Sequence, residues 1–358
     1  MLDHYVTLGR SGLRVSPLCL GTMTFGQDLG WGADPETCRG LFDHYVASGG
    51  NFVDTANCYT FGHAEAMIGE FVTGSSSRRD ALVLATKFAM NLYAGDPNGG
   101  GASRKAIMQQ CENSLRRLGT DYIDLYWIHC WDEFTPIEET MLALDNLVRS
   151  GKVRYIGFSD APAWKVAQSQ TLALMRGWSP LIALQVPYSL LQRSVEAEFL
   201  PMAKDLGLGV LPWAPLAGGA LSGKYDREKP LSSSDRGELG YSFGEREWNL
   251  IEAMREIAGR RETTVSTIAL SWVVGQPMVT SPIIGVRIMP QLLDNIAALG
   301  VKLTDDERRE LDELTSPHLP FPNALLKSTP SLMHAGATVN GVSSVLRAIT
   351  PGRDEQRH

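Results

Sequence analysis

The sequence lacks the features that mark proteins which bind nucleic acids, cross membranes or carry disulfide frameworks. Its formal charge of -7 and pI near 5.6 argue against a nucleic-acid surface. It has no run of 18 apolar residues, and its start, MLDHYVTLGR, has neither the basic nor the apolar region of a secretory signal. The five cysteines are odd in number and show no C-x-x-C spacing, so neither structural zinc nor a disulfide framework is predicted. We therefore expect a cytoplasmic protein that acts on small molecules, uses no metal and binds neither nucleic acid nor membrane.

Two nucleotide-binding motifs are absent or incomplete. No G-x-G-x-x-G follows an apolar strand, so a Rossmann site is not indicated. Residues 215–225, PLAGGALSGKY, come within one residue of an ATPase phosphate loop, but Tyr225 stands where that loop needs a Ser or Thr hydroxyl to hold magnesium. The segment also follows the seventh apolar run instead of opening a helix after the first. We therefore do not assign it to an NTPase.

Short apolar runs alternate with longer amphipathic stretches along most of the chain. The apolar runs are LCLGT, NFVDTA, LVLATKF, YIDLYWIH, YIGFSD, LIALQVPYS, GVLPWAP and SPIIGV. The stretches that follow them predict helices near residues 35–48, 63–72, 103–119, 137–151, 163–177, 196–207, 263–277 and 290–300. Eight near-continuous apolar strands, each with a following helix, predict a (β/α)8 TIM barrel of the α/β class.

Three segments frame the predicted barrel. YVTLGRSGLRVSPL, near the start, predicts a β-hairpin that could plug the barrel floor. Thr304, followed by acidic residues, predicts the N-cap of one additional helix after the eighth unit. We expect a single domain over residues 1–320, and a tail over 321–358 that is either a substrate-side lid or partly disordered.

Mostly polar residues follow the predicted strands, at the end of the barrel where such folds carry their active sites. They are Gly21, Thr22, Asp54, Lys87, His129, Ser159, Asp160, Gln185, Trp213, Gly285 and Arg287, with Tyr59 in the loop after Asp54. Singly, each has an ordinary explanation as a helix cap, a solvated charge or a core residue. Jointly they collect a carboxylate, an ammonium, a phenol and an imidazole at one mouth, without the H-x-H pair of a metal-dependent barrel. This set suits delivery of a proton to a carbonyl oxygen.

The motifs NFVDTANCY, LATKF, DLYWIH, KVRYIGFSD and ALQVPYSLLQR resemble those of the aldo-keto reductases over roughly residues 5–320. The resemblance is to the branch of bacterial oxidoreductases and potassium-channel β-subunits. It implies NADP(H)-dependent reduction of an aldehyde or ketone to the alcohol. Tyr59 would be the general acid, Lys87 and Asp54 would tune it, and His129 would orient the substrate carbonyl. We expect the ammonium of Lys87 to lower the Tyr59 pKa.

The same resemblance implies a cofactor site in the barrel mouth. Ser159, Asp160 and Gln185 would hydrogen-bond the nicotinamide carboxamide, and Trp213 would stack on its ring. Asp160 departs from the family's usual Asn, and an ionised carboxylate cannot donate a hydrogen bond to the carboxamide oxygen. The other implied contacts are Gly21, Thr22, Met23, Asp54, Ala214, Pro215, Leu216, Ala217, Gly218, Leu221, Lys224, Gly285, Arg287, Gln291, Asp294 and Asn295. The loop from Leu216 to Leu221, with Lys224, would cradle the pyrophosphate. Arg287 would bind a 2′-phosphate, which favours NADPH over NADH.

The substrate is predicted less sharply than the chemistry. Phe25, Trp31 and Trp131, together with Tyr59 and His129, would form aromatic walls for a sugar-like or polycyclic carbonyl compound; plain loop packing is the alternative for these aromatic residues. A second function also stays open, that of a cofactor-binding, redox-sensing regulatory subunit with slow turnover. The sequence leaves open whether the protein is a monomer or a homo-oligomer.

Overall fold

A computed structural model describes residues 1–73, 76–228 and 243–347. The chain begins with an antiparallel hairpin of β1 (Val6–Thr7) and β2 (Arg14–Val15), in which Val6 pairs with Val15. Leu8 and Val15 are fully buried in one apolar cluster with residues of the barrel strands, including Phe52. The predicted hairpin is confirmed, and its apolar side chains pack on the barrel.

Eight parallel strands form the predicted barrel. They are β3 (Cys19–Gly21), β4 (Phe52–Asp54), β5 (Val83–Phe88), β6 (Ile123–Ile128), β7 (Val153–Ser159), β8 (Leu181–Pro187), β9 (Gly209–Trp213) and β10 (Ile283–Gly285). Each pairs in parallel with its neighbours, in the order β10-β3-β4-β5-β6-β7-β8-β9. Between β9 and β10 the pairing is reduced to a parallel bridge between Val210 and Val279 and a 2.9 Å hydrogen bond from the Thr280 amide to the Val210 carbonyl. The strands are buried on both faces, which explains their near-continuous apolar sequences.

Helices surround the strands. They are α1 (Pro35–Ala47), α2 (His63–Val72), α3 (Ser76–Ala81), α4 (Arg104–Leu118), α5 (Ile137–Arg149), α6 (Ala163–Arg176), α7 (Phe199–Leu206), α8 (Glu245–Arg260), α9 (Val265–Val274), α10 (Met289–Ala297) and α11 (Asp305–Thr315). Short 3₁₀ helices occupy Tyr59–Gly62, Ser194–Glu196, Ala217–Ser222 and Ala298–Gly300. Among the residues that the structure describes, no helix is both long enough and apolar enough to span a membrane.

The predicted extra helix after the eighth unit is confirmed as α11. Thr304 is its N-cap, and its hydroxyl accepts a 3.2 Å hydrogen bond from the Glu307 amide. The Glu307 carboxylate in turn accepts from the Thr304 amide at 2.8 Å. This capping box satisfies two amides that the first helical turn would otherwise leave unpaired.

The chain divides into two compact units, Met1–Ser316 and the segment from Pro317 onward. The first contains the hairpin, the barrel and its helices. Up to residue 347, the second contains two short helices, α12 (Asn323–Leu326) and α13 (Thr329–Met333), and a small hairpin of β11 (Thr338–Val339) and β12 (Val342–Ser343).

Candidate active site

The carboxyl ends of the strands bring together the four residues predicted to carry the chemistry: Asp54, Tyr59, Lys87 and His129. Asp54 ends β4, Lys87 lies in β5 and His129 follows β6. Asp54 and Lys87 are 1% and 0% exposed, respectively. Because β4 and β5 are paired neighbours, they place a carboxylate and an ammonium side by side in the barrel interior.

The Lys87 ammonium makes three hydrogen bonds at this site. It donates to the Asp54 carboxylate, with which it also forms an ion pair, to the Thr55 carbonyl at 2.9 Å and to the Tyr59 hydroxyl at 3.0 Å. Burial opposes the charge on Lys87, but the attraction of Asp54 and Tyr59 outweighs it and raises the Lys87 pKa. Lys87 is therefore a fixed positive charge whose three donors are all engaged.

Tyr59 opens a 3₁₀ helix with an unusual backbone. Thr60 and Phe61 both adopt left-handed conformations, with φ of 45° and 57°, a costly arrangement for side chains of this size. The Thr60 hydroxyl holds it in place by donating to the Phe25 carbonyl at 3.1 Å and accepting from the Ala64 amide at 3.0 Å. This turn fixes the Tyr59 ring beside Lys87.

The Tyr59 pKa differs from the sequence-based expectation. Burial raises the pKa of Tyr59 to about 12, although the ammonium of Lys87 pulls it down. Lys87 lowers the Tyr59 pKa as expected, but removal of the phenol from water raises it by more, so the net shift is upward. Tyr59 keeps its proton at neutral pH.

His129 lies edge-on to Tyr59, with ring centroids 6.0 Å apart and an interplanar angle of 83°. Burial, together with the charge of Lys87, lowers the pKa of His129 to about 3. The imidazole is therefore neutral at physiological pH and carries one ring proton. Its Nδ1 lies 3.8 Å from the Cys58 Sγ.

The residues predicted to hold the nicotinamide carboxamide lie at the end of β7 and in β8. Ser159 and Gln185 are register partners on adjacent strands, and the Gln185 amide donates to the Asp54 carboxylate at 3.1 Å. The Ser159 hydroxyl is buried and makes no hydrogen bond of good geometry within the part of the chain that the structure describes, although it lies close enough to the Asp160 carboxylate to lower that group's pKa. A buried hydroxyl without a partner is unfavourable, so Ser159 fits a ligand that supplies one.

Asp160 and Trp213 interact with each other. The Trp213 indole nitrogen donates to an Asp160 carboxylate oxygen at 3.0 Å. Asp160 has a positive φ of 39°, and burial of its carboxylate raises its pKa although the Trp213 N–H opposes this shift. The Asp160 carboxylate thus uses one of its acceptor sites to hold the indole ring.

The predicted pyrophosphate loop follows β9 and folds into the 3₁₀ helix Ala217–Ser222. Gly218 and Gly219 have φ of 65° and 99°, which glycine adopts without strain. Several amides predicted to hold phosphate are already used within the loop: Ala217 donates to Ala214 at 2.8 Å, and Gly219 and Leu221 donate to Leu216 at 2.9 and 3.2 Å. A phosphate held by these amides therefore requires the loop to change conformation.

Tyr225 anchors the end of the same loop. Tyr225 is 4% exposed, its ring contacts Phe243 at 6.3 Å between centroids, and its carbonyl accepts from Arg255 at 2.7 Å. Lys224 is exposed, with its ammonium 4.6 Å from the Tyr225 ring centroid. The residue that breaks the ATPase motif is a packing anchor in this fold.

The remaining predicted cofactor contacts lie at β3 and β10. The Thr22 amide and hydroxyl both donate to the Asp54 carbonyl, at 2.9 and 3.1 Å, whereas Met23 is half exposed. After β10, which ends at Gly285, Arg287 is half-buried and its amide donates to the Gln291 side chain at 2.8 Å. In α10, Asp294 is half-buried and Asn295 is buried.

The aromatic residues predicted to line the substrate site differ in their exposure. Phe25 is fully buried, with its ring 6.4 Å from that of Phe71, so it is a core residue and not an open wall. Trp31 and Trp131 are half-buried, and Trp131 contacts Phe158 at 6.4 Å between ring centroids. Phe61, two residues after Tyr59, is 68% exposed and was not predicted. Its left-handed backbone beside Tyr59 marks it as a residue held in place at a cost.

A hydrogen-bonded frame supports the loops around these residues. The Asn57 amide donates to the Met90 carbonyl and to the Gln110 side chain, both at 2.9 Å. Gln110 also accepts from the Ala89 amide at 3.0 Å. Sequence reasoning missed this frame, because Gln110 lies in α4 and no local motif marks it. Within residues 1–73, 76–228 and 243–347, no group of His, Cys, Asp or Glu side chains could hold a metal ion.

Comparison with known protein families identifies relatives of this chain. A model described as "Aldo/keto reductase family" matches residues 17–316. An uncharacterized oxidoreductase of Bacillus subtilis (strain 168) is 39% identical over 320 residues, covering 87% of this chain and 95% of that relative. The norsolorinic acid reductase of Aspergillus flavus is 36% identical over 341 residues, covering 92% of this chain and 85% of that relative. An aryl-alcohol dehydrogenase of Pestalotiopsis microspora is 34% identical over 330 residues, covering 90% of this chain and 85% of that relative.

Proposed function

The chain belongs to the aldo/keto reductase family, and from this membership we propose that it reduces an aromatic or polycyclic aldehyde or ketone to the alcohol with NADPH. The observation that carries the proposal is the position of Lys87. A single buried ammonium contacts both the Asp54 carboxylate and the Tyr59 hydroxyl. This arrangement connects a proton donor to a permanent counter-charge.

Tyr59 is the proposed general acid. When bound, the cofactor supplies hydride to the carbonyl carbon. Tyr59 gives its hydroxyl proton to the carbonyl oxygen as negative charge grows there, and the resulting tyrosinate lies 3.0 Å from the Lys87 ammonium. Neutral His129 donates a hydrogen bond to the same oxygen, which stabilises the charge in the transition state. Since the His129 pKa is about 3, its ionisation lies outside the range from pH 5 to 8.

Ser159, Asp160 and Gln185 are proposed to hold the nicotinamide, with Trp213 beside its ring. The buried Ser159 hydroxyl, which makes no hydrogen bond of good geometry within the described part of the chain, supports this assignment. Gln185 has one amide proton and its carbonyl oxygen left after donating to Asp54. Because Trp213 donates to Asp160, Ser159 and Gln185 are the groups left to donate to the carboxamide oxygen.

An aromatic substrate is proposed for two reasons. Trp131 and Phe61 supply apolar surface on loops of the barrel mouth. One of the relatives, the aryl-alcohol dehydrogenase, is also named for an aromatic compound.

A carbonyl panel tests the proposal directly. Purified protein is mixed with NADPH and with aromatic aldehydes, polycyclic ketones, aliphatic aldehydes and sugars, and nicotinamide absorbance is followed. Turnover is expected with the aromatic and polycyclic members. Turnover of the sugars alone would refute the substrate class, and tight NADPH binding with no turnover would favour the regulatory subunit instead.

Replacing Arg287 with Ala is expected to raise the KM for NADPH about 10-fold or more, because a charge-assisted contact to phosphate contributes roughly 1.5 to 3 kcal/mol. The KM for NADH, which has no 2′-phosphate, should stay unchanged. Arg176→Ala is a matched control, since it removes the same charge from the last turn of α6, at the amino end of the barrel strands. Equal effects on both cofactors would contradict the Arg287 assignment.

A further inference from the structure

Cys58 contacts His129 across the mouth of the barrel. The Cys58 Sγ lies 3.8 Å from the His129 Nδ1, and within the part of the chain that the structure describes this is the only hydrogen bond found for the His129 side chain. Both backbones are held: the Cys58 carbonyl accepts from the Phe61 amide at 3.1 Å, and the His129 amide donates to the Phe88 carbonyl at 3.1 Å. The thiol and the imidazole are thus brought together by two separately fixed loops.

The proton in this contact belongs to the thiol. Burial raises the pKa of Cys58 to about 11, so the thiol keeps its proton at neutral pH. His129 is neutral and carries a single ring proton. An unprotonated imidazole nitrogen is a better acceptor than a thiol sulfur, which accepts only weakly. The S–H therefore donates to Nδ1, and the ring proton of His129 lies on Nε2.

We propose that Cys58 is a positioning residue that fixes His129 in the Nε2–H tautomer and so leaves Nε2 as a donor toward the substrate oxygen. The use of this donor rests on the proposed carbonyl reduction, whereas the tautomer itself does not. In the opposite tautomer a bare Nε2 would repel the carbonyl oxygen or accept the Tyr59 proton. Either outcome would remove the second donor from the oxygen on which charge develops.

The tautomer is measured on the resting protein, without substrate or cofactor. Long-range ¹H–¹⁵N correlation spectra of ¹⁵N-histidine-labelled protein distinguish a protonated ring nitrogen from a bare one. The chain has seven histidines, and the His129 signals are assigned by their loss in His129→Gln. The wild type is expected to show protonated Nε2 and bare Nδ1. A protonated Nδ1 in the wild type would overturn the proposal.

Two substitutions at Cys58 separate hydrogen bonding from packing. Cys58→Ala removes the donor and is expected to give a mixture of tautomers, whereas Cys58→Ser supplies a hydroxyl donor and should restore Nε2–H. Cys130→Ala is the matched control, since Cys130 is also a half-buried thiol, adjacent to His129 in sequence; its tautomer signals should match the wild type. If Cys58→Ala keeps the pure Nε2–H form, the proposal is wrong.

Kinetics then test what the tautomer does. Cys58→Ala is expected to lower kcat about 2- to 10-fold, the effect of one modest hydrogen bond, with little change in the KM for NADPH. Cys58→Ser should recover most of the loss. A protein that shows the expected tautomers but reduces no carbonyl would refute the proposed function and leave the role of Cys58 in place. Normal turnover together with a protonated Nδ1 in the wild type would refute the role of Cys58 and leave the proposed function in place.

Discussion

Replacing Tyr59 with Phe is expected to lower kcat about 10²- to 10⁴-fold, the usual contribution of a positioned proton donor. The change removes one oxygen atom and leaves the Lys87 ammonium its other two acceptors, Asp54 and Thr55. NADPH affinity, measured by fluorescence titration, should therefore stay close to that of the wild type. Loss of turnover with retained cofactor binding identifies a group used in the chemical step.

Tyr126 provides the control for this experiment. It is fully buried in β6, and its hydroxyl has no hydrogen-bond partner among the residues that the structure describes. Tyr126→Phe removes the same atom from a neighbouring part of the fold, and it should leave kcat unchanged without loss of stability. Should Tyr59→Phe retain more than a tenth of wild-type kcat, another group must donate the proton.

The barrel was predictable because its strands are buried on both faces. Eight apolar runs with little alternation are typical of parallel strands covered by helices, and all eight were found. The helix α8 was not predicted because the strand–helix alternation predicts one helix after each strand, whereas two helices, α8 and α9, follow β9. Its apolar residues Trp248, Ile251, Met254 and Ile257, three or four positions apart, carried the necessary signal.

The sequence predicted which residues form the candidate site, but not their pKa shifts or their contacts. Strand ends give the order in which side chains reach the mouth, and they led to Asp54, Lys87 and His129. They do not give the balance between burial and charge, which reverses the expected shift of the Tyr59 pKa. They also do not show contacts between distant loops, such as the thiol of Cys58 at His129. Such contacts depend on side-chain directions in three dimensions.

Lys87→Met is expected to have the largest effect on stability, lowering the free energy of unfolding at pH 7 by about 3 to 5 kcal/mol. The substitution fills a similar volume but leaves the Asp54 carboxylate buried without its counter-charge. Burial already raises the Asp54 pKa, and Lys87 is the main group that opposes this rise. Without Lys87 the folded-state pKa of Asp54 rises further, while the unfolded value stays at about 3.9.

The sign of the pH dependence follows from this raised pKa. Below the unfolded pKa, Asp54 is protonated in both states and the missing ammonium costs little. As the pH rises, the unfolded state ionises while the folded state resists. The Asp54 pKa is raised in the wild type as well, so the extra loss in Lys87→Met accumulates above the wild-type folded-state pKa, at up to about 1.4 kcal/mol per pH unit. Denaturant unfolding followed by tryptophan fluorescence at pH 5 and pH 7 should therefore show a smaller deficit at pH 5. A deficit independent of pH would mean that the loss comes from packing.

The double variant Asp54→Asn/Lys87→Met separates stability from activity. The asparagine introduced in place of Asp54 carries no charge that needs a partner, and its carbonyl oxygen can still accept from the Gln185 amide, as Asp54 does at 3.1 Å. Stability at pH 7 should therefore recover to near the wild type, because removing a whole buried pair costs far less than breaking it. Turnover should not recover, since a tyrosinate at Tyr59 would have no ammonium beside it. Recovery of both would mean that the buried pair serves the fold alone, and that Tyr59 needs no neighbouring charge.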